Sequence, residues 1–251
     1  MAKIQAIILA GGKGTRLAPL TDNLPKPLVA VCGKPMMTYV LEHLRTAGII
    51  DVAISTAHLG HMIADVFGDG QAMGMRLSYL VEPEPMGTGG WAKLVDWDNL
   101  DDHFLVLNAD NLFWIDIAAF LERHRSTNAA ATIAAIELAS EGLGSRGAEL
   151  LLPNDDRTTL TAYIDRTASA PYIAASQTQF ISSGWYVMTP GVRNVVTDVL
   201  PYSNELHLWP ALAASDAPIG FYHATEPWFD SGTHERLARV EDYLNGKAYG
   251  T

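Results

Sequence analysis

The run Ala6-Ile7-Ile8-Leu9-Ala10 is continuously apolar and stops at Gly11-Gly12. A strand without polar alternation is buried on both faces, as in a parallel sheet covered by helices. The same alternation of signals continues downstream. Tyr39 to Ala47 has helical period and is stopped by Gly48, and Asp51 to Ser55 is a second strand. His61 to Phe67 is helical, Arg76 to Val81 a third strand, and Phe104 to Leu107 a fourth, ending at Asn108-Ala109-Asp110. Asp116 caps a helix to Arg125, and Ala130 to Glu137 is a fifth strand. A strand-helix rhythm of this kind predicts an α/β open sheet with crossover helices, whose ligands sit beyond the carboxyl ends of the strands. After about residue 140 the rhythm changes. Strands are expected at Glu149 to Leu152, Leu160 to Asp165 and Phe180 to Val187, with a turn at Asn154 to Arg157 and helices at Leu206 to Ala214 and Thr233 to Leu244. No linker, repeat or low-complexity tract interrupts the chain, so residues 1–251 read as one domain.

Bulk properties exclude several classes. With 251 residues, 48% hydrophobic and 18% charged, the chain can bury a sizeable core. Its 17 Lys+Arg against 28 Asp+Glu give a net charge of −11, which argues against a nucleic-acid or membrane-surface binder. A polyanionic ligand would then need a few placed cations or a metal. Cys32 is the single cysteine, which excludes an internal disulfide and Cys-based zinc sites. The histidines form no HExxH or HxxxH pair. The first apolar run is too short for a signal peptide, and no stretch reaches the roughly 18 apolar residues of a membrane span. The expected compartment is the cytoplasm. The six tryptophans and Cys32 are assigned to core or rim.

The stretch after the first strand carries the chemistry: Leu9-Ala10-Gly11-Gly12-Lys13-Gly14-Thr15-Arg16-Leu17, then Pro25-Lys26-Pro27-Leu28. Three glycines in four positions let backbone approach a ligand closely, and successive N–H groups form an anion-binding concavity. Arg16 offers a planar fork for phosphate oxygens, and Lys26 a compact second cation on a proline-stiffened segment. The stretch is not a P-loop, because no Lys-Ser/Thr pair follows the last glycine. It is not a dinucleotide fingerprint either, because the final glycine of GxGxxG is replaced by Leu17.

On these residues the chain resembles the sugar-1-phosphate nucleotidyltransferases (NDP-sugar pyrophosphorylases), in particular their mannose-1-phosphate or heptose-1-phosphate guanylyltransferase-like branch. The resemblance continues through Gly33-Lys34-Pro35-Met36, Glu82 to Gly90, Asn108-Ala109-Asp110 and Trp228 to Thr233. It implies a Rossmann-like, GT-A-like three-layer α/β fold with a mostly parallel central mixed sheet. Residues 1–140 would form the nucleotide-binding half and 141–251 the sugar-phosphate half. It also implies Mg²⁺-dependent conversion of NTP and sugar 1-phosphate to NDP-sugar and pyrophosphate.

The implied catalytic residues are Arg16, Lys26 and Asp110. The implied nucleotide contacts are Leu9, Ala10, Gly11, Gly12, Gly14, Thr15, Arg16, Glu82, Gly87, Thr88 and Asn108. Lys26, Gly147, Asp165, Arg166 and Ser182 would meet the sugar phosphate, with Asp165 and Arg166 as a charge pair, and Asp110 and Asp230 would hold Mg²⁺. Magnesium suits one or two carboxylates plus phosphate oxygens. Glu82 follows the third strand at the base-reading position. An acceptor-only carboxylate matches the adjacent N1–H and N2–H donors of guanine, which favours GTP over UTP or dTTP. Ala109, Asp165-Arg166-Thr167 and Ser182-Ser183-Gly184 depart from the family's usual residues; the departures weaken the case for mannose 1-phosphate and fit a less common hexose or heptose 1-phosphate or a sugar-like phosphate. The expected partners are an NTP and a sugar 1-phosphate, with no nucleic acid and no membrane, and a homo-oligomer is compatible with the sequence. Two other readings are a catalytically silent nucleotide-sugar sensor and a GT-A glycosyltransferase. The first is opposed by the joint presence of Arg16, Lys26, Asp110 and Asp230. The second leaves GGxGTR unexplained.

Overall fold

A computed structural model describes residues 3–143 and 148–246. The first half of the chain forms β1 (Ile4–Leu9), a short hairpin of β2 (Ala30–Val31) and β3 (Lys34–Pro35), α1 (Met36–Thr46), β4 (Asp51–Thr56), α2 (Gly60–Phe67), β5 (Arg76–Val81), α3 (Trp91–Leu94), β6 (Leu100–Asn108), β7 (Asn111–Phe113), α4 (Ile117–Thr127) and β8 (Ala131–Ala139). The second half adds α5 (Ser140–Leu143), β9 (Leu150–Pro153), β10 (Leu160–Ile164), α6 (Ala170–Ala175), β11 (Thr178–Met188), α7 (Trp209–Ala213), β12 (Ile219–His223), β13 (Trp228–Asp230) and α8 (His234–Leu244).

Among the described residues, nine strands make one mixed sheet. Strands β5, β4, β1 and β6 lie side by side and parallel. Next comes β11, antiparallel to β6 and long enough to pair also with β8 and β9. A register shift between Ser182 and Tyr186 lets it serve these neighbours at different heights, the effect of a bulge. β12 runs parallel to β8, and β10 antiparallel to β9.

Both faces of the sheet are covered, as the unbroken apolar reading of β1 requires. Ala6 and Ile8 face a core shared with Met37, Leu41, Ile63, Phe120 and Val240. Ile7 faces the other core, with Trp91, Tyr202, Trp209 and Phe221. Helices α1, α2, α4 and α8 therefore form one outer layer, and α3 and α7 the opposite one. Strand order reverses at β1, whose neighbours are β4 and the later β6. Such reversals open a crevice at the carboxyl ends of the strands.

One local reading shifts, and one element was not read at all. The helix expected from Leu206 to Ala214 begins as a wide turn, Asn204–Leu208, in which Leu208 N–H donates to Ser203 O at 3.2 Å. It becomes α-helical at Trp209. The three-residue ladder of β7 with β13, which pairs Asn111 with Asp230, has no periodic signature because three residues are too short to show one. Among the described residues, no helix is long and apolar enough to cross a membrane.

Candidate active site

The carboxyl ends of β1, β4, β5 and β6 bring the expected nucleotide residues to one edge. Leu9 pairs with Asn108 across β1 and β6, and Leu9 O accepts from Ala109 N at 3.0 Å. Ala10 N donates to Ser55 O at 2.8 Å. Beyond Ala10 the backbone leaves the sheet, and the N–H groups of Gly11 to Gly14 have no acceptor among the described residues. They form an accessible row of donors, the local requirement for holding an anion. The three glycines differ in purpose. Gly14 sits at φ +64°, and an added Cβ would lie 3.0 Å from Lys26 Cβ. Gly11 would carry its Cβ 3.1 Å from Glu82 Oε1. Gly12 has open space. Thr21 fixes the loop by donating to Gly14 O at 2.8 Å, and Thr15 and Arg16 follow in an exposed single turn.

The two cations and the two aspartates converge. Lys26 is 7% exposed, and its Nζ is bonded to the Asp110 carboxylate. Asp110 lies immediately past β6, and its carbonyl accepts from Ser231 N at 3.1 Å and Ser231 Oγ at 2.6 Å. Asp230, adjacent in chain to Ser231, pairs with Asn111 in the short ladder. Asp110 and Asp230 thus approach from strands that are 120 residues apart in sequence, through backbone bonds rather than through a shared ion. Asp230 Oδ1 accepts from Gly232 N at 2.7 Å, and Oδ2 is paired with Arg236 at the start of α8. A Cβ on Gly232 would sit 2.7 Å from Asp230 Oδ1 and 2.9 Å from Arg16 Nη2. Arg16 therefore lies beside Asp230, and Gly232 is a glycine because a side chain would separate them. Among the described residues, no group of three or more His, Cys, Asp or Glu side chains gathers for a metal. Two hard oxygen donors at one edge fit a cation that completes its shell with phosphate oxygens and water.

Glu82 reaches the same edge. Its Oε1 accepts from Ser55 Oγ at 3.0 Å, and its Oε2 from Met86 N at 3.0 Å. A carboxylate has about four lone-pair sites, so each oxygen keeps acceptor capacity. Gly87 and Thr88 are both exposed. The backbone of this loop is pinned to Tyr202 by Gly89 N donating to Tyr202 O at 2.8 Å and Tyr202 N to Met86 O at 2.7 Å.

On the sugar side the expected pairing changes. Asp165 and Arg166 do not pair with each other. Asp165 Oδ1 accepts from Thr167 N at 2.8 Å and from Thr167 Oγ1 at 2.5 Å, which holds its carboxyl below the usual range. Arg166 instead donates to Glu149 Oε2 at 3.0 Å, and this bond raises its pKa. Short-range capping by the next hydroxyl is geometrically easier than a salt bridge between neighbours in an extended chain. Ser182 Oγ donates to Tyr186 OH and accepts from Gly184 N, each at 3.1 Å. Gly184, at φ +80°, has Asn108 and Asn111 pressed against its open face. Gly147 lies outside the described residues. Glu149, Thr21 and Arg236 had no functional signal in the sequence, and Ser231 and Gly232 stood only as members of the Trp228 to Thr233 motif, because their roles are fixed by how the closed fold places Asp110, Asp230, Gly14 and Arg166.

A family model described as Nucleotidyl transferase matches residues 5–145. The chain belongs to the nucleotidyl transferase family. It is 33% identical over 247 residues to a mannose-1-phosphate guanylyltransferase of Mycobacterium tuberculosis, covering 98% of this chain and 64% of that relative. It is 29% identical to a UTP--glucose-1-phosphate uridylyltransferase of Synechocystis sp., covering 96% and 61%. A D-glycero-alpha-D-manno-heptose 1-phosphate guanylyltransferase of Aneurinibacillus thermoaerophilus is 37% identical over 131 residues, 52% of this chain and 56% of that one. The chain therefore spans somewhat less than two thirds of the length of these relatives. Among solved structures, HddC from Yersinia pseudotuberculosis complexed with GMP-PN superposes with a TM-score of 0.76 at 22% identity, over 96% of this chain and 99% of that one. A Bacillus anthracis protein in complex with a sucrose reaches 0.78 at 21% identity, over 98% and 97%. These likenesses confirm the Rossmann-like α/β fold of this nucleotidyl transferase family member, with its mixed central sheet flanked by helices.

Proposed function

We propose that this chain transfers a nucleotidyl group from an NTP to a sugar 1-phosphate, releasing pyrophosphate. The observation that carries the reading is the convergence of Lys26 with Asp110, and of Arg16 with Asp230, at the strand edge where the glycine loop presents free N–H groups. An oxygen of the sugar phosphate attacks the α-phosphorus, the bond from that phosphorus to the β-phosphate bridging oxygen breaks, and pyrophosphate leaves with the electron pair. Such transfers need positioning and charge stabilisation more than covalent help. The loop N–H groups and Arg16 bind the phosphates that leave. Lys26, already directed at the reacting edge by Asp110, faces the α-phosphate and the incoming phosphate. Asp110 and Asp230 would hold Mg²⁺, which when bound offsets the charge of the triphosphate. Residues 1–140 serve the nucleotide and 141–251 the acceptor, within one domain in the cytoplasm.

GTP is the favoured nucleotide, on the acceptor-only character of Glu82 and the guanylyltransferase relatives. A uridylyltransferase also stands among the relatives, so UTP is the second reading. The acceptor is a hexose or heptose 1-phosphate or a sugar-like phosphate, met by Ser182 and Arg166 beside Glu149. Pyrophosphate release, measured with each NTP, Mg²⁺ and a panel of sugar 1-phosphates, tests the class. Release with at least one pair is expected. Nucleotide-sugar binding without release under any combination would instead support the silent sensor. Glu82→Gln replaces an acceptor by a mixed donor and acceptor, so the ratio of kcat/KM between GTP and UTP should fall by about tenfold. An unchanged ratio removes Glu82 from base selection.

A further inference from the structure

The loop after β5 and the wide turn before α7 are joined more densely than either needs for its own conformation. Thr88 Oγ1 donates to Glu205 Oε2 at 2.5 Å, and the same Thr88 oxygen accepts from Asn204 N at 2.9 Å. Thr88 O accepts from Asn204 Nδ2 at 3.0 Å. Ser203 Oγ donates to Glu205 Oε2 at 2.7 Å and accepts from Glu205 N at 3.1 Å, which fixes the carboxylate. Asn204 is 1% exposed, so these bonds are partly shielded from water and each is costly to leave unmade. The approach also leaves no room for side chains on the loop. A Cβ at Gly87, which sits at φ +86°, would lie 2.5 Å from Tyr202 O, and one at Gly89 2.5 Å from Tyr202 Cδ1.

Thr88 belongs to the nucleotide half and Glu205 to the acceptor half. The charge of Glu205 also acts within its own half. After burial, its charge is the next cause raising the phenol pKa of Tyr186, whose hydroxyl accepts from Ser182. One carboxylate is thus bonded to the loop expected to meet the nucleotide and exerts its charge on the wall expected to meet the acceptor.

We propose that Thr88 and Glu205 form a latch between the two halves, with Glu205 a positioning residue that holds the Gly87–Gly89 backbone in its nucleotide-binding shape. The proposal rests on the reading of that loop as part of the NTP site. Its test is calorimetric binding of GTP and UTP with Mg²⁺ and no acceptor, alongside thermal unfolding without nucleotide. Glu205→Ala should weaken binding about tenfold, the scale of one hydrogen bond to a charged group. Thr88→Val should do the same, and the double variant should be no weaker than either single one, because both remove one interaction. Glu205→Gln, whose amide oxygen still accepts from Thr88, should recover most of the loss. Single effects that multiply in the double variant overturn the latch. So does an affinity that is unchanged per folded molecule while the unfolding temperature falls, which is the mark of a merely structural contact. Wild-type protein that binds neither nucleotide removes the NTP reading and the latch with it, whereas intact wild-type binding with unaffected variants removes the latch alone.

Discussion

Lys26 and Arg16 are both cations of the loop region, but their surroundings set different consequences for losing them. Lys26 is buried and ends on Asp110, whose side chain is 31% exposed. Breaking a fully buried pair costs roughly 3–5 kcal/mol, and the water left to Asp110 brings this one below that range. Asp110→Asn therefore lowers both turnover and stability, because it leaves the Lys26 ammonium facing a neutral amide. Arg16 is exposed, so Arg16→Ala leaves the unfolding temperature nearly unchanged. Each substitution should reduce kcat by about 10²–10³, the scale for one preorganised charge donor. Steady-state pyrophosphate release and thermal melts on the two variants check the pair of outcomes. A melt of Arg16→Ala that drops as far as that of Asp110→Asn contradicts the placement of Arg16 outside the buried charge pair. Wild-type kcat in either variant takes that residue out of the chemistry.

At the scale of elements, the chain's legibility follows burial and range. β1 and the Phe104–Leu107 stretch of β6 were readable because strand segments covered on both faces are apolar, whereas the polar start of β6 from Leu100 to His103 was not, and β5 matches its expected bounds of Arg76–Val81. The Asp116 cap was readable because a cap is local: Asp116 accepts from Ala119 N at 3.0 Å. The β7–β13 ladder, the Glu149–Arg166 bond and the Thr88–Glu205 bond were not, since their partners are fixed only by the closed sheet. Asp110 and Asp230 were linked in the sequence only by family resemblance, and the ladder supplies the physical reason. Helix α4 carries a further consequence of closure. His124 is 1% exposed, and its Nδ1 lies 2.8 Å from Thr132 Oγ1 on β8. Burial first, then the nearby charges of His103 and Arg125, push its pKa down to about 4. An unfolded histidine titrates near 6.5, so between the two values the unfolded chain takes up a proton that the folded chain refuses. Stability conferred by neutral His124 is complete above about pH 6.5 and is lost as pH falls toward about 4, by on the order of 3 kcal/mol. Urea midpoints measured from pH 7 to pH 4.5 should fall accordingly, and more steeply than in His124→Gln. Parallel pH dependences in the two proteins would show that His124 contributes nothing to acid sensitivity.

For the whole molecule the controlling quantity is charge. A chain with net charge −11 repels a triphosphate at long range, so binding must be organised by short-range cations. Those on the strand edge are already committed: Lys26 to Asp110 and Arg236 to Asp230. A nucleotide arriving alone has to compete with these carboxylates for the same positive groups. A divalent cation that takes the carboxylates removes the competition, and so metal and nucleotide should stabilise the fold together more than the sum of their separate effects. Ligand at 100 times its Kd adds about 2.7 kcal/mol, which for a chain of this size raises the unfolding temperature by roughly 5–10 °C. Melts of the wild-type protein with GTP and Mg²⁺ should show that rise, with much smaller rises for GTP alone or Mg²⁺ alone. Asp230→Asn should lose most of the joint increment while keeping the small shift from GTP alone, because Arg16 and the loop N–H groups remain. Equal shifts with and without Mg²⁺ in the wild-type protein would mean that the phosphates are held by protein groups alone, and that the two aspartates serve the cations around them rather than a metal.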